Sequence, residues 1–159
     1  MTKRLLVGAL LLIGTATLSA QTKSPLAGVW QVIESTGGPG TGGVTATIKN
    51  AQPGYYIFTD RHYSITRVTG DKPRMAPKDP NKPSLEDLQD ANRFQAQFGT
   101  YEIKGDTITR RPSVARNSPT MNPPAPITGT FKLDGKALTL TTESATTVDP
   151  SVVKLMRVE

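Results

Sequence analysis

The stretch from Thr100 to Thr109, TYEIKGDTIT, decides the fold. On both sides of Gly105-Asp106, polar and apolar side chains alternate with a period of two, which is typical of a β-strand with one buried face. Glycine tolerates the positive φ that a tight turn requires, so this dipeptide predicts a hairpin. The stretch Gly129–Thr141 repeats the pattern around Asp134-Gly135-Lys136. We therefore expect an antiparallel sheet built from hairpins.

Short alternating segments separated by turn residues fill most of the remaining chain. The other predicted strands are Gly28–Ile33, a weak Val44–Lys49, Tyr55–Thr59, His62–Val68 and Val152–Val158. Together they make about nine strands, within a range of about eight to ten, and that number suits closure into a barrel. The sequence therefore predicts an all-β, antiparallel barrel.

One segment departs from this pattern. Ser84 precedes Leu85-Glu86-Asp87 as a helix cap would, and apolar or long side chains then recur at helical spacing up to Phe98. We expect one short helix of about three turns there, with a helix cap at its start. The Pro-containing stretches Lys72–Pro83 and Pro112–Pro126 are predicted loops, because proline cannot donate to a strand ladder.

The amino terminus has the three parts of a secretory signal peptide. Lys3 and Arg4 precede an unbroken run of apolar and small residues, Leu5–Gly14, and small residues continue to Ala20. This run is too short to span the hydrocarbon layer as a helix, which takes about twenty residues. Residues 1–20 are therefore predicted to be a cleaved signal peptide.

Residues 21–159 then form one predicted domain, exported to a bacterial periplasm or secreted. No cysteine follows the apolar run, so we expect no lipid anchor there, and because the run is short we expect no stable membrane anchor either. The whole chain lacks cysteine, so the domain depends on packing and backbone pairing rather than on disulfides.

Charge and composition argue against several function classes. The net charge of the full chain is +6, and loss of Lys3 and Arg4 lowers it by two. The basic residues are scattered and form no stripe with aromatic residues, so nucleic-acid binding is not expected. With no cysteine and one histidine, thiol catalysis and most zinc sites are also excluded. No metal or cofactor is predicted, since the glycine-rich Gly37–Gly43 lacks the ending of a phosphate-binding loop.

The order of these segments resembles the lipocalin-like domain family of bacterial proteins, within the calycin group of barrels. The segments that carry the resemblance are Leu26–Trp30 with its Gly-x-Trp opening, Pro53–Thr59, Phe98–Asp106, Leu138–Leu140 and Lys154–Arg157. The resemblance implies that Trp30 packs beneath Arg157, closing one end of the barrel, which would be a structural role. The alternative for Arg157 is an exposed arginine on the last strand.

Candidate ligand-binding residues follow from the alternation, which aims every second side chain into a barrel. The candidates are Tyr56, Phe58, Tyr63, Arg67, Tyr101, Arg110 and Phe131. An inward arginine would bind a carboxylate through charge-assisted hydrogen bonds, and a tyrosine can line an apolar cavity and also hydrogen-bond a ligand. The alternatives are arginines that reach solvent at strand ends and aromatic residues that only fill the core.

Three functions are compatible with this chain. The first is non-covalent binding of a small apolar or amphipathic molecule, acids included, in the barrel. The second is a protein-interaction module with a filled barrel, although no particular partner is indicated. The third is an enzyme on the same scaffold that uses tyrosine, arginine and carboxylate groups, although no catalytic motif is recognisable. His62, near Asp60, is either an exposed turn residue or half of an acid–base pair.

The predicted signal peptide can be tested by expressing the full chain in a bacterium with an outer membrane. We expect the periplasmic fraction to contain a chain that begins at Gln21, or at Ala20 if cleavage follows Ser19, as measured by intact mass spectrometry. Leu11→Arg places a charge in the apolar run and should leave the chain unprocessed. Thr2→Arg, outside that run, should not, and an unprocessed wild-type chain would contradict the prediction.

Overall fold

The computed structural model describes residues 23–36, 47–49, 51–123, 125–142 and 150–159. The predicted signal peptide and the glycine-rich stretch Gly37–Gly43 lie outside the described residues. The elements are β1 (Gly28–Thr36), β2 (Thr47–Lys49), β3 (Gly54–Phe58), β4 (His62–Val68), α1 (Leu85–Asn92), β5 (Phe94–Lys104), β6 (Thr107–Ala115), α2 (Ser118–Met121), β7 (Ile127–Asp134), β8 (Ala137–Thr142) and β9 (Ser151–Arg157).

The strands form one antiparallel sheet that closes on itself. From β3 to β9 each strand pairs with the next one in the chain, and β1 pairs with both β3 and β9. Eight strands thus close the barrel, and β2 pairs with the far part of β1, where Glu34 faces Lys49. The predicted all-β antiparallel barrel is confirmed.

The two quoted hairpins turn at the predicted glycines. Gly105 has a φ of +63° and Gly135 a φ of +56°, the left-handed region that other residues avoid. On the strands beside the first turn, Ile103 pairs with Ile108, and both side chains point into the barrel. The glycine turn and the alternation of buried side chains therefore favour the same register between β5 and β6.

The predicted helix begins as expected but ends early. Asp87 N donates to Ser84 Oγ over 3.2 Å, and Ser84 N donates to Asp87 Oδ2 over 2.8 Å, so the cap is present. The extension to Phe98 is wrong, because β5 begins at Phe94 and pairs with β4 from there onward. Helix α1 buries none of its residues. From Phe94 onward, the sheet provides hydrogen-bond partners for the backbone and a buried face for the side chains, so these residues join the sheet.

The second predicted loop is also partly wrong. Strand β6 continues through Pro112 to Ala115, and the short helix α2 follows it. Pro112 lies opposite Gly99, where the register of β5 and β6 shifts by a bulge. A bulge is one of the few places in a sheet that tolerate a residue without an N–H group.

The barrel has a closed end and an open end. At the closed end β1 begins and β9 ends, and the interior is filled by large, fully buried side chains. These are Leu26, Trp30, Tyr63, Ile65, Leu138 and Leu155. At the open end β1 ends and β9 begins, and the long connections between strands lie there. No helix among the described residues has both the length and the apolar character needed to span a membrane.

Trp30 and Arg157 lie opposite each other on β1 and β9. The guanidinium of Arg157 is stacked on the indole ring, with Cζ 4.1 Å from the ring centroid. It donates to the carbonyl oxygens of Ala27 at 2.5 Å and Pro25 at 3.2 Å, while Trp30 Nε1 donates to Leu26 O at 2.8 Å. These bonds hold the segment before β1 across the end of the barrel, as the resemblance implied.

Replacing Arg157 by lysine tests the value of this stack. Lysine keeps the charge but loses the planar fork, so we expect Arg157→Lys to lower the free energy of unfolding by about 1–2 kcal/mol. The control is Arg111→Lys, whose ion pair with Glu102 lies on the surface and should contribute less than about 0.5 kcal/mol. Urea denaturation measures both, and equal losses would contradict the structural role.

Candidate functional site

A cavity of about 150 Å³ occupies the open half of the barrel. It lies above the filled half, and its walls combine polar groups with a smaller number of aliphatic ones. The lining residues are Tyr56, Arg67, Gln95, Ala96, Gln97, Arg110, Asn117, Thr120, Ile127, Leu140, Thr142, Ser151 and Val153. Three of the residues predicted from the alternation, Tyr56, Arg67 and Arg110, are therefore brought together here.

Arg67 enters the cavity from β4, close to the open end. Its side chain is only 8% exposed, and its Nε donates to Gln95 Oε1 over 2.8 Å. On the neighbouring strand its partner is Gly54, where a Cβ would approach the Cβ of Arg67 to 2.6 Å. A glycine is needed at that position because any side chain there would collide with the start of the arginine.

Arg110 enters the cavity from β6 and is 7% exposed. Its Nη2 donates to Thr142 Oγ1 over 2.9 Å, and its Cζ lies 5.8 Å from the ring centroid of Tyr63. Burial lowers the pKa of the Arg110 guanidinium, and the positive charge of Arg67 lowers it further. An arginine titrates so high that the group still carries its charge at neutral pH.

Neither cavity arginine has an acidic partner among the described residues. The ion pairs that the described part of the chain contains join Arg93 to Asp90, Arg111 to Glu102 and Lys154 to Glu34, all outside the cavity. Each guanidinium carries five N–H donors and directs one of them to a protein oxygen. Among the described residues no fully buried side-chain nitrogen lacks a hydrogen-bond partner, so the guanidinium nitrogens that bind no protein oxygen keep some accessible surface.

Tyr63 does not line this cavity but contacts two residues that do, Gln97 and Arg110. Its ring is 1% exposed, and its hydroxyl donates to Gln97 Oε1 over 3.0 Å. Burial raises the pKa of the Tyr63 phenol, and the charge of Arg110 opposes that shift in part. The phenol is thus a neutral donor at physiological pH that positions the Gln97 amide in the wall.

The other three predicted ligand residues do not line the cavity. Phe58 and Tyr101 pack edge to face near the closed end, with ring centroids 5.2 Å apart. The Tyr101 hydroxyl donates to Thr59 O over 2.7 Å and lies 2.5 Å from Ser24 Oγ, and burial raises its pKa. Phe131 packs against the core as a partly buried residue. The structure therefore does not bring these three side chains into the cavity lining with Arg67 and Arg110.

Several cavity residues were missed by the sequence patterns. Gln95 and Gln97 were placed in the predicted helix, and Asn117 and Thr120 in the predicted loop that holds α2. Polar and apolar side chains alternate from Gln95 to Phe98, which is typical of a strand. The helical spacing of the preceding residues continues to Gln95, and it favoured a helix instead.

The described lining of the cavity contains two arginines and no acidic side chain. Among the described residues, no Asp, Glu, His or Cys lines it, and Tyr56 is the one lining side chain of a type that serves as a general acid or base. The described residues also contain no group of three or more such side chains that could hold a metal ion. His62 lies outside the barrel, exposed and stacked on Phe98 with ring centroids 5.6 Å apart.

A larger depression, of about 410 Å³, lies at the closed end. Its rim includes the exposed Lys23, Asp60 and Glu159. It is wide open to solvent, and Arg157 beside it already donates to backbone carbonyls. The smaller cavity is less open to solvent and is lined by two buried arginines, so it is the better candidate site.

An antiparallel barrel whose first strand pairs with its last, with an arginine stacked on a first-strand tryptophan, has a lipocalin-like fold. No family model matches the chain, and no curated protein matches it. It is similar to the crystal structure of a lipocalin-like protein from Bacteroides uniformis, at 16% identity and a TM-score of 0.47, covering 83% of this chain and 97% of that one. It is also similar to an uncharacterized protein from Bacteroides eggerthii, at 10% identity and a TM-score of 0.43, covering 83% and 98%.

The buried phenol of Tyr63 predicts a pH dependence of stability. Because its pKa is raised on folding, the folded protein retains the proton to a higher pH than the unfolded chain does. The stabilisation is fully present below about pH 10 and is lost as the pH rises above that value. We expect the free energy of unfolding, from urea denaturation, to fall less steeply above pH 10 in Tyr63→Phe. Identical slopes in the two proteins would contradict this.

Proposed function

We propose that this protein binds a small organic acid, non-covalently, in the open half of its barrel. The observation that carries the proposal is the pair of buried arginines, Arg67 and Arg110, which face one cavity without an acidic partner among the described residues. A bound carboxylate would supply the missing negative charge.

The energetics support an anion over a neutral guest. Removing a guanidinium from water costs several kcal/mol unless a partner compensates for it, and here only Gln95 and Thr142 contribute side-chain acceptors. Hydrogen bonds between charged groups contribute about 1.5–3 kcal/mol each, more than neutral ones. The free donors of Arg67 and Arg110 therefore favour an oxyanion most strongly.

The cavity volume limits the size of the ligand. Drug-sized ligands occupy sites of about 300–1,000 Å³, whereas a cavity near 150 Å³ accommodates a molecule such as benzene. Leu140 and Val153 supply an aliphatic wall opposite the polar one. The ligand is therefore a compact amphipathic acid rather than a long apolar chain.

The two alternatives have less support. An enzyme would need a positioned group that moves a proton, and the described lining offers only Tyr56 among the side chains that usually do so. An interaction module with a filled barrel would need an interior without a cavity, and only the closed half of this barrel is filled. The amino-terminal pattern supports export, so we propose that the acid is met in the periplasm or outside the cell.

Neighbouring arginines on β6 provide a matched test, since Arg110 points inward and Arg111 points outward. We expect Arg110→Met to abolish the rise in melting temperature that short-chain carboxylates such as butyrate and benzoate cause in the wild-type protein. In the absence of ligand the same variant should be as stable as the wild type, or more stable by about 1 kcal/mol, because it removes a buried charge.

Arg111→Met is the control. Carboxylates should raise its melting temperature as much as they raise that of the wild type, and its free energy of unfolding should differ from that of the wild type by no more than about 0.5 kcal/mol. Differential scanning fluorimetry measures the shifts, and urea denaturation measures the stability. If no carboxylate stabilises the wild-type protein, or if Arg110→Met binds as well as wild type, the proposal is wrong.

A further inference from the structure

Three tyrosines of this barrel point inward, and one of them differs from the other two in its hydrogen bonding. The hydroxyl of Tyr63 donates to Gln97 Oε1, and that of Tyr101 donates to Thr59 O. The hydroxyl of Tyr56 forms no hydrogen bond with another described residue, although Tyr56 is only 4% exposed. Of the three tyrosines, Tyr56 is the one that lines the cavity.

The hydroxyl of Tyr56 is accessible from the cavity. Among the described residues no fully buried side-chain oxygen lacks a hydrogen-bond partner, so a hydroxyl that binds no protein group keeps some accessible surface. The ring of Tyr56 belongs to the apolar core and lies next to Phe58, with ring centroids 6.5 Å apart. The surface that remains to this residue is therefore on the cavity side, where a guest molecule can complete the hydrogen bonds of the phenol.

The phenol complements the two arginines of the same lining. A guanidinium only donates hydrogen bonds, and its charge makes a carboxylate its strongest partner. A phenol both donates and accepts, so it matches a hydroxyl group, which does the same. Thr120 and Ser151 add two further hydroxyls to the lining. The cavity thus offers groups for an acid and, separately, groups for an uncharged polar substituent.

We infer that the ligand is a short hydroxy acid, whose carboxylate is bound by the arginines of the cavity and whose hydroxyl is bound by the phenol of Tyr56. This inference rests on the proposed function and narrows its ligand class. An unsubstituted acid that displaces water from the cavity leaves the Tyr56 hydroxyl without a partner, whereas a hydroxy acid supplies one. Leu140 and Val153 provide an aliphatic wall for the short carbon frame.

Four-carbon acids provide a matched series for isothermal titration calorimetry. Butyrate has no hydroxyl group, whereas 2-hydroxybutyrate and 3-hydroxybutyrate each have one and exist as two enantiomers. We expect one of these four hydroxy acids to bind at least about tenfold more tightly than butyrate, because a site that hydrogen-bonds a ligand hydroxyl discriminates against the analogue without it. Its mirror image should bind more weakly, since its hydroxyl points elsewhere when the carboxylate is held.

The outcomes separate this inference from the proposed function. If butyrate binds as tightly as every hydroxybutyrate, the hydroxy-acid inference is overturned while acid binding stands. If the two enantiomers of each hydroxy acid bind equally, no fixed group recognises the hydroxyl, and the inference is again overturned. If none of these acids binds, both proposals fail.

Neighbouring tyrosines on β3 provide a matched pair of variants, since Tyr56 points inward whereas Tyr55 points outward and is 44% exposed. Tyr56→Phe should weaken the preferred hydroxy acid at least about tenfold and leave butyrate unchanged, because it removes only the hydroxyl. Tyr55→Phe should affect neither acid. Equal weakening of both acids by Tyr56→Phe, or no weakening of either, would overturn the assignment of the ligand hydroxyl to Tyr56.

Stability measurements distinguish this role from a structural one. Because the Tyr56 hydroxyl binds no other described residue, Tyr56→Phe should unfold at the same urea concentration as the wild-type protein when no acid is present. A variant that loses stability and binds both acids more weakly would show that the phenol holds the barrel together, and it would overturn the inference.

Discussion

The pairing of β1 with β9 is the constraint on which the rest of this structure depends. A sheet of this length without closure would present two unpaired edges, and a chain with no cysteine has no covalent means of joining its ends. Closure is reinforced where Trp30 meets Arg157, because one guanidinium both stacks on the indole and binds the carbonyls of the segment before β1. The amino-terminal and carboxyl-terminal ends of the domain are thereby held together non-covalently.

Closure at one end determines how the interior is divided. The large side chains around Trp30 and Tyr63 fill the barrel from the closed end, and the space that remains lies between Arg67, Arg110 and the glutamines of β5. Two arginines in such a place are unfavourable for stability alone. They are tolerable because their free donors face a cavity that water or an anion can enter. The proposed binding of an acid therefore accounts for the arginines in the open half of the barrel.

The alternation identified which side chains of the predicted site face inward. Arg67, Arg110 and Tyr56 all face inward, as their strands predicted, and all reach the cavity. Phe58 and Tyr101 also face inward but lie at the filled end. A period of two identifies the face of a strand that a side chain occupies, yet it contains no information on height along the barrel axis. That height depends on the tilt and register of all the strands together.

The sequence by itself determined most of the strands, the glycine turns at Gly105 and Gly135 and the capped start of α1. These features depend on local φ preferences, on alternation and on short-range hydrogen bonds. Only the tertiary structure decided that α1 ends at Asn92 and that Gln95 and Gln97 join the sheet beside Arg67. The physical reason is that the same backbone N–H and C=O groups can form hydrogen bonds either within a helix or with a neighbouring strand. Pairing with β4, which is distant in sequence, favours the strand.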